Sequence, residues 1–262
     1  MNPVHLFLII VTLPLLLGGC GEKHEGIQYE IRGDTVTITE CDRSKLGKLI
    51  IPTTIEGKPV TSIGNSAFED CRALTSIIIP DSVTSIESEA FYRCESLTSI
   101  TIPESVTSIG DFAFYTCTSL GAITIPKGVT TIGIGTFVSC FRLTSITIPE
   151  GVISIGEGAF NDCDKLASIT IPESVKSIGT YAFQNCSSLT SITIPESVNS
   201  IENRTFFGCE SLKTVTFLGD SPKIIGKVFE YFSSATIYRK PEAKGWGDTF
   251  AGRPVKLISE KP

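Results

Sequence analysis

The chain has 262 residues, and 41% of them are hydrophobic, which is enough for a substantial folded core. Its net charge of −6 argues against a nucleic-acid-binding protein, because such proteins present a basic face to the phosphate backbone. Only two histidines occur, His5 and His24, so catalysis that depends on an imidazole has little to draw on.

An apolar run from Val4 to Leu17 opens the chain. At about 14 residues it is too short to span a bilayer as a helix, and it is typical of an export signal. It ends in Leu17-Gly18-Gly19-Cys20, which resembles a bacterial lipobox. That resemblance implies that residues 1–19 are a signal peptide and that Cys20 is lipidated. The alternative is an ordinary cleaved signal with a chance cysteine, since no Lys or Arg precedes the apolar run.

After the signal, residues 20–26 form a short polar segment that we interpret as the lipid-anchored tether. By analogy with other bacterial lipoproteins, aspartate after the lipidated cysteine would indicate retention in the inner membrane. The residue after Cys20 is glycine, so this indication is missing. We therefore expect an exported protein of the bacterial cell envelope, held at the outer membrane or cell surface by its lipid.

Residues 27–60 are interpreted as an N-terminal hairpin cap followed by a first, imperfect repeat. Apolar and polar residues alternate from Tyr29 to Ile38 on either side of Arg32-Gly33-Asp34, which predicts a β-hairpin with a glycine-containing turn. Arg-Gly-Asp is also an integrin-recognition tripeptide, but Gly-Asp is common turn chemistry, and we interpret it as a turn. The segment from Ile55 to Pro59 is predicted to hold extra residues as a loop.

A strict period of 23 residues then governs the chain up to Tyr231. Leucine, proline, phenylalanine and cysteine each recur in a column of their own, and the cysteines of this register are Cys71, Cys94, Cys117, Cys140, Cys163, Cys186 and Cys209. The period lies in the range of roughly 20–29 residues that is characteristic of leucine-rich repeats.

The unit that begins at Leu97 shows how one repeat folds. Residues 97–102 predict a short strand, which Pro103 ends because proline lacks an N–H group. Residues 106–109 predict a second extended piece, Gly110 allows a bend, and Ala113-Phe114 closes the coil as a turn or a short helix. One such coil orders too many residues around too few apolar side chains to fold alone, so the units must stack.

The signature L-x-x-I-x-I-P-x-x-V-x-x-I-x-x-x-A-F-x-x-C resembles the BspA-type leucine-rich repeat family, a bacterial surface branch. The resemblance implies a right-handed solenoid of about eight coils, built mainly of short parallel β-strands with turns and short helical or 3-10 segments. We assign residues 61–231 to this solenoid and residues 232–262 to a C-terminal cap. Within the cap, two strands are expected to cover the last coil, and Trp246 is expected to lie in the core of the cap.

The seven cysteines of the register are interpreted as a structural ladder in the core, because free cysteine packs as a small buried hydrophobe. Two alternatives remain open. Adjacent coils would bring the cysteines within disulfide range, and an exported protein meets oxidising conditions. A zinc site is the other alternative, but zinc sites usually show CxxC-like pairs, and the sequence has none. We expect no metal and no cofactor.

Catalytic constellations are also missing from the repeats. Neither histidine lies in the repeat region, and no glycine-rich phosphate loop occurs. The carboxylates at the turn after each proline are interpreted as a solvated edge, with weak cation binding as the alternative; they are Asp81, Glu104, Glu150, Glu173 and Glu196, with Lys127 in the same column. We therefore expect a protein that is not an enzyme.

Aromatic residues that stand in variable columns near the Ala-Phe turn are the candidate partner surface. They are Tyr92, Phe112, Tyr115, Phe141, Tyr181 and Phe207, and other copies carry polar residues or glycine at the same columns. Columns that tolerate polar residues are expected to be exposed, and aromatic residues are enriched at interfaces. The alternative is packing between repeats on the outer face.

A second surface consists of hydroxyl groups that the first strand of each unit points outward, namely Ser99, Ser145, Ser168 and Ser191 beside Thr101, Thr124, Thr147, Thr170 and Thr193. Strand propensity and solubility explain this lattice, and a glycan-binding or an ice- or water-ordering surface is the alternative. The sequence as a whole predicts a non-catalytic envelope lipoprotein that presents a solenoid to a protein or glycan partner, with adhesion as one such role. A structural envelope scaffold without an external ligand is the second hypothesis.

Overall fold

Short extended segments separated by turns make up almost all of the chain that the structure describes. The structure is a computed structural model, and it describes residues 23–24, 26–44, 47–229 and 234–260. The predicted signal peptide and the predicted lipidation site Cys20 lie outside the described residues.

The strands within the described ranges are numbered in chain order. They are β1 (Lys23–His24), β2 (Ile27–Arg32), β3 (Thr35–Cys41), β4 (Gly47–Ile50), β5 (Thr54–Ile55), β6 (Lys58–Ile63), β7 (Leu74–Ile78), β8 (Ser85–Ile86), β9 (Ser99–Thr101), β10 (Ser108–Ile109), β11 (Ala122–Thr124), β12 (Thr131–Ile132), β13 (Ser145–Thr147), β14 (Ser154–Ile155), β15 (Ser177–Ile178), β16 (Ser191–Ile194), β17 (Ser200–Ile201), β18 (Thr214–Phe217), β19 (Lys223–Ile224), β20 (Thr236–Arg239), β21 (Thr249–Phe250) and β22 (Arg253–Leu257). A single 3-10 turn, Ile258–Glu260, follows β22.

Two hairpins form the N-terminal end. Strands β2 and β3 pair antiparallel around a turn in which Gly33 has a φ of +63°, so the predicted hairpin is confirmed. The segment from Ile55 to Pro59 is not the loop that the sequence suggested. It closes a second hairpin, because Glu56 and Gly57 both adopt positive φ values (50° and 74°) and let β5 pair antiparallel with β6.

Two ladders of parallel strands run along the solenoid, one for each extended piece of the repeat. In the first ladder, β4, β7, β9, β11 and β13 lead through a bridge between Thr170 and Thr193 to β16, β18, β20 and β22. In the second ladder, β6, β8 and β10 are followed by β12, β14, β15, β17 and β19. The partners in the central coils are one period apart, as in Ile123↔Ile146 and Ser154↔Ser177. Stacking therefore supplies the hydrogen bonds that a single coil lacks.

The solenoid has about nine turns, slightly more than the eight expected. The difference arises at the C-terminal end, because β20 and β22 extend the parallel ladder through Val215↔Ile237 and Ile237↔Val255. The short antiparallel strand β21 then pairs with β22. Trp246 packs here as predicted, with ring centroids 5.1 Å from Phe217 and 5.0 Å from Phe250.

The third side of each coil is built from turns, which is one of the two forms that the sequence suggested. In the coil that begins at Leu97, Phe112 and Thr116 both have a φ of +56°. Between them, the backbone N–H groups of Phe112, Phe114 and Thr116 donate to carbonyl oxygens of the next coil at 2.8–2.9 Å. This side of the coils, called the turn face below, is therefore joined by a third ladder of hydrogen bonds between coils, although its residues do not form β-strands.

A continuous phenylalanine column fills the core behind the turn face. Its rings stack face to face between coils, with centroids 5.2–5.8 Å apart and planes within 2–15° of each other; they are Phe68, Phe91, Phe114, Phe137, Phe160, Phe183, Phe206 and Phe229. Stacked aromatic pairs of this kind contribute roughly 0.5–1.5 kcal/mol each beyond the apolar area they bury.

Candidate binding surface

The structure places the cysteine column beside the phenylalanine column, with every register cysteine fully buried. From Cys94 onward, each thiol donates to the carbonyl oxygen of the phenylalanine 26 residues earlier, at 3.1–3.3 Å. Burial raises the pKa of Cys140 and of Cys209 to about 12. Thiols that are neutral, buried and hydrogen-bonded are poor nucleophiles and poor metal ligands, so this column acts as structure.

The described residues were also compared with the arrangements expected of a metal site and of a membrane-spanning helix. No group of three or more His, Cys, Asp or Glu side chains among them is arranged to hold a metal ion. The carboxylates of the turn column, such as Glu104 and Glu173, are exposed as expected of a solvated edge. A helix long and apolar enough to cross a membrane is likewise absent from the part of the chain that the structure describes.

The hydroxyl surface lies on the first ladder, and its serines and threonines are exposed as predicted. The lattice of hydroxyl groups is interrupted at two positions. Ala122 occupies the serine column, opposite Ser99, and Ile78 occupies the threonine column, opposite Thr101. At the edge of this column, Thr124, Lys127, Thr147 and others line a shallow groove of about 350 Å³.

Four side chains on the turn face form a first aromatic–arginine cluster. Tyr92 and Tyr115, from adjacent coils, stack with centroids 4.8 Å apart and planes 4° apart. The ring of Phe112 meets Tyr115 edge-on at 6.1 Å, and the guanidinium of Arg93 lies 5.9 Å from the centre of the Tyr92 ring. The three rings are half-buried, which means that they pack between repeats and also keep an exposed edge. The interpretation as packing between repeats therefore applies to these rings, and their role as a partner surface stays a prediction.

A second aromatic–arginine cluster lies further along the same face. The guanidinium of Arg204 lies 5.9 Å from the centre of the Tyr181 ring and 5.3 Å from that of Phe207. Arg204 is exposed, and both rings are half-buried. The two clusters thus share a composition, with a planar cation held against aromatic rings, although they use different columns for the arginine.

Backbone conformation sets where these rings stand. Phe112 and Tyr181 occupy the same column of the repeat, and both have positive φ (56° and 60°). Between them the column holds Gly135 and Gly158, which also have positive φ. A Cβ atom on Gly135 would come within 2.4 Å of the Phe112 ring, so that ring leans across the glycine. The clusters lie three coils apart, about 15 Å, and in the two coils between them this column has no side chain.

Phe141, the sixth predicted residue, does not join either cluster. It lies in another column, directly after Cys140, and 40% of its surface is exposed. The predicted aromatic surface is therefore two clusters and one separate ring. The sequence analysis missed Arg93 and Arg204. A signal was present in the sequence, since Arg93 directly follows Tyr92 and Arg204 shares the column of Phe112 and Tyr181.

Asp70 connects the first cluster to the N-terminal end of the solenoid. Its carboxylate accepts hydrogen bonds from Arg72 at 2.9 and 3.0 Å. The guanidinium groups of Arg43 and Arg93 each approach it to 4.0 Å. Arg93 therefore has both a carboxylate and the Tyr92 ring within interaction range.

Comparison with solved structures identifies bacterial leucine-rich repeat proteins. The leucine-rich repeat protein TpLRR of T. pallidum matches with a TM-score of 0.53 and 27% identity, over 82% of this chain and 86% of that one. A leucine-rich cell surface protein of Faecalibacterium prausnitzii A2-165 matches with a TM-score of 0.55 and 28% identity, over 83% and 78%. A leucine-rich repeat protein of Bacteroides ovatus ATCC 8483 matches with 0.55 and 31%, over 83% and 55%.

A comparison with curated proteins finds no matching sequence. The family described as "BspA type Leucine rich repeat region" matches in six copies, over residues 41–152 and 130–245. These matches span most of the solenoid that the structure shows. The repeat signature, the parallel ladders and the buried phenylalanine and cysteine columns agree with that assignment, and the chain belongs to the BspA-type leucine-rich repeat family.

Proposed function

We propose that the chain is a non-catalytic, exported envelope protein that binds a protein partner through its turn face. The observation that carries the proposal is the pair of aromatic–arginine clusters around Arg93 and Arg204. Tyrosine, other aromatics and arginine are the residues enriched at the centres of protein interfaces and among their energetic hot spots.

The arrangement of the repeat supports this choice of face. The constant columns, such as those of Phe114 and Cys117, are sealed in the core and cannot touch a partner. The variable columns of the turn face project the side chains in which the copies differ. A solenoid that keeps its interior constant and varies one face is a general device for presenting an extended binding surface.

The rings are also held in place before binding. Tyr92 is confined between the Tyr115 ring and the Arg93 guanidinium, and Arg93 is itself drawn toward Asp70. Side chains that are already ordered lose less conformational entropy when a partner binds, which favours affinity. Rings packed between coils are therefore well suited to contact a partner along their exposed edges.

Export and lipidation belong to the same proposal. The apolar leader and the Leu17-Gly18-Gly19-Cys20 sequence support an export signal with a lipid on Cys20. The similarity to a cell surface protein of Faecalibacterium prausnitzii supports an outward-facing location. Protease treatment of intact cells separates this proposal from an internal envelope scaffold, because only an outward-facing chain is cut.

The binding proposal is tested by capturing partners from envelope and host-cell extracts with the wild type and two triple variants. The first combines Tyr92→Ser, Arg93→Ser and Tyr115→Ser on the turn face. The matched control combines Ser99→Ala, Ser145→Ala and Ser168→Ala on the exposed strand face. We expect the first variant to lose the captured partner and the control to keep it. Loss by the control alone would contradict the proposal.

A glycan ligand on the hydroxyl surface is the second candidate, and the groove lined by Thr124, Lys127 and Thr147 favours it. The accessible lining of this groove is mainly apolar, with polar groups of Thr124, Lys127 and Thr147 at its edge, a mixture that suits the apolar faces and the hydroxyl groups of a sugar. Binding to a glycan array that Thr124→Val and Thr147→Val abolish, and that the turn-face variant keeps, would select this function instead.

A further inference from the structure

One described cysteine stands outside the repeat register. Cys41 ends strand β3 in the N-terminal hairpin, whereas the seven register cysteines belong to the coils. It is nevertheless buried like them, with 2% of its surface exposed. Its position at the start of the column raises the question of what it does there.

The structure brings Cys41 against Cys71, the first cysteine of the register. The nearby Cys41 thiol, together with burial, raises the pKa of the Cys71 thiol well above its ordinary value, so the two thiols lie within interacting distance. The neighbouring residues are in contact as well, since Arg43 lies 4.0 Å from Asp70. A few residues later, the N–H of Gly47 donates to the carbonyl oxygen of Ala73 at 3.1 Å. The segment that follows Cys41 therefore runs alongside the segment that contains Cys71, and the thiol pair lies at their junction.

This pair differs from the rest of the column. From Cys94 to Cys209, each thiol is aimed at a phenylalanine carbonyl oxygen at 3.1–3.3 Å, which directs it along the backbone and away from its neighbour. For Cys71 the residue 26 positions earlier is residue 45, which lies outside the described residues. The thiol of Cys71 instead interacts with the thiol of Cys41, whose own S–H group donates to the carbonyl oxygen of Asp42 at 3.5 Å.

We propose that Cys41 and Cys71 form a disulfide in the exported protein, and that this bond staples the N-terminal hairpin to the first coil. Oxidation requires a disulfide carrier, such as an exported thiol oxidoreductase or oxidised glutathione. The Cys41 thiolate attacks the carrier disulfide and forms a mixed disulfide, and the first carrier thiolate leaves. The Cys71 thiolate then displaces the second carrier thiolate. The pair loses two electrons and two protons, and the carrier disulfide is reduced to two thiols.

Because both cysteines are buried in the folded chain, the exchange takes place before the first coil closes over them. The inference depends on export into an oxidising compartment and not on which partner the turn face binds. The disulfide would lie at the N-terminal end of the solenoid, where the chain packs against only one neighbouring coil and a covalent link therefore adds stability.

The full chain, taken from the envelope of the organism that makes it, tests this inference. Thiols are alkylated before lysis and again under denaturing conditions, and the protein is digested with trypsin without a reductant. Cleavage releases residues 33–43, which contain Cys41, and residues 49–72, which contain Cys71. We expect one species in which these two peptides are joined and which reduction separates, while the peptides that contain the other register cysteines carry the alkyl group. Recovery of both peptides separately and alkylated would overturn the inference.

Two variants exclude a merely structural explanation. Cys94→Ser changes the next cysteine of the column and should keep the joined peptides, whereas Cys41→Ser should lose them. The thermal midpoint of the wild type should fall by roughly 5–10 °C when a reductant is present, whereas that of Cys41→Ser should not respond. A midpoint that responds equally in the wild type and Cys41→Ser would also count against the disulfide.

Discussion

At the scale of the residue, the stability of the fold rests on columns of identical side chains. Phe114 is fully buried and stacks on Phe91 and Phe137 at 5.3 and 5.5 Å. Its identity and depth follow from the sequence, because a residue repeated at every period and surrounded by apolar neighbours belongs to the core. The same reasoning could not place Tyr92 and Tyr115, since a stack between coils depends on which variable residues happen to meet one period apart.

The phenylalanine column predicts a large difference between two similar substitutions. Phe114→Ala should lower the free energy of unfolding by about 3–5 kcal/mol, because it opens a cavity and removes two stacking partners. Phe141→Ala, at an exposed ring, should lower it by less than about 1 kcal/mol. Urea denaturation followed by circular dichroism measures both values. Equal losses would show that the column is not the core.

The buried cysteines predict a loss of stability at alkaline pH. Folding raises the pKa of Cys140 and Cys209 from the ordinary 9.0 to about 12, chiefly through desolvation. Below pH 9 the thiols are protonated in both states and their stabilisation is fully present. Between pH 9 and 12 the unfolded chain ionises first, so the stabilisation falls and is lost as the pH passes the folded value. The urea midpoint should therefore drop less between about pH 8 and about pH 10.5 in a Cys140→Ala, Cys209→Ala variant than in the wild type. The same pH dependence in both would contradict this account.

At the scale of the element, the two strands of each repeat were predictable and the turn face was not. Alternating apolar residues and the proline at the strand end predict where the extended pieces lie. The positive φ of Phe112 and Thr116 has no such signal, because the corresponding columns hold serine, glutamate, arginine, aspartate and glycine as well. Gly110 is a glycine that is not needed for a positive φ, because its φ is not positive. A Cβ atom there would come within 2.4 Å of the Ser88 backbone nitrogen, so the close approach of the neighbouring coil explains the glycine.

The turn conformation predicts opposite effects for two substitutions. Thr116→Gly should raise the free energy of unfolding by up to about 1 kcal/mol, because it removes a β-branched side chain from a left-handed backbone position. Gly135→Val should lower it by more than about 1 kcal/mol, because it adds a branched side chain at a φ of +57° and drives it into the Phe112 ring. Thermal unfolding of the two variants provides the comparison. A destabilising Thr116→Gly would argue against left-handed strain at this position.

At the scale of the whole molecule, the solenoid is a row of coils in which each coil contacts its neighbours. The repeat period made this architecture predictable, and the BspA-type resemblance was confirmed. The ends were harder to predict, because the repeat decays there. The structure shows that β20 and β22 continue the ladder over the last coil, as expected of the two strands of the cap, and that Trp246 packs against Phe217 and Phe250.

A row of coils predicts that damage at one end stays local. Trp246→Ala should raise amide hydrogen exchange in β18 and in the β21–β22 pair, because its ring contacts with Phe217 and Phe250 and its Nε1 hydrogen bond to the Gly219 carbonyl oxygen are lost. Exchange in β9, in the middle of the row, should be unchanged. Hydrogen exchange read by mass spectrometry measures both regions at once. A uniform rise along the chain would show that the solenoid unfolds as one unit.

We propose that a partner binds the turn face through the two aromatic–arginine clusters. The most direct measurement is site-specific photo-crosslinking on intact cells. A crosslinking amino acid is placed at Gln184, which shares the column of Tyr115 and Phe207 and lies beside the second cluster in the coil of Tyr181, or at Ser145 on the strand face. The account predicts a defined crosslinked partner from Gln184 that Arg93→Ser and Arg204→Ser weaken, and none from Ser145. A partner crosslinked from Ser145 and absent from Gln184 would contradict it.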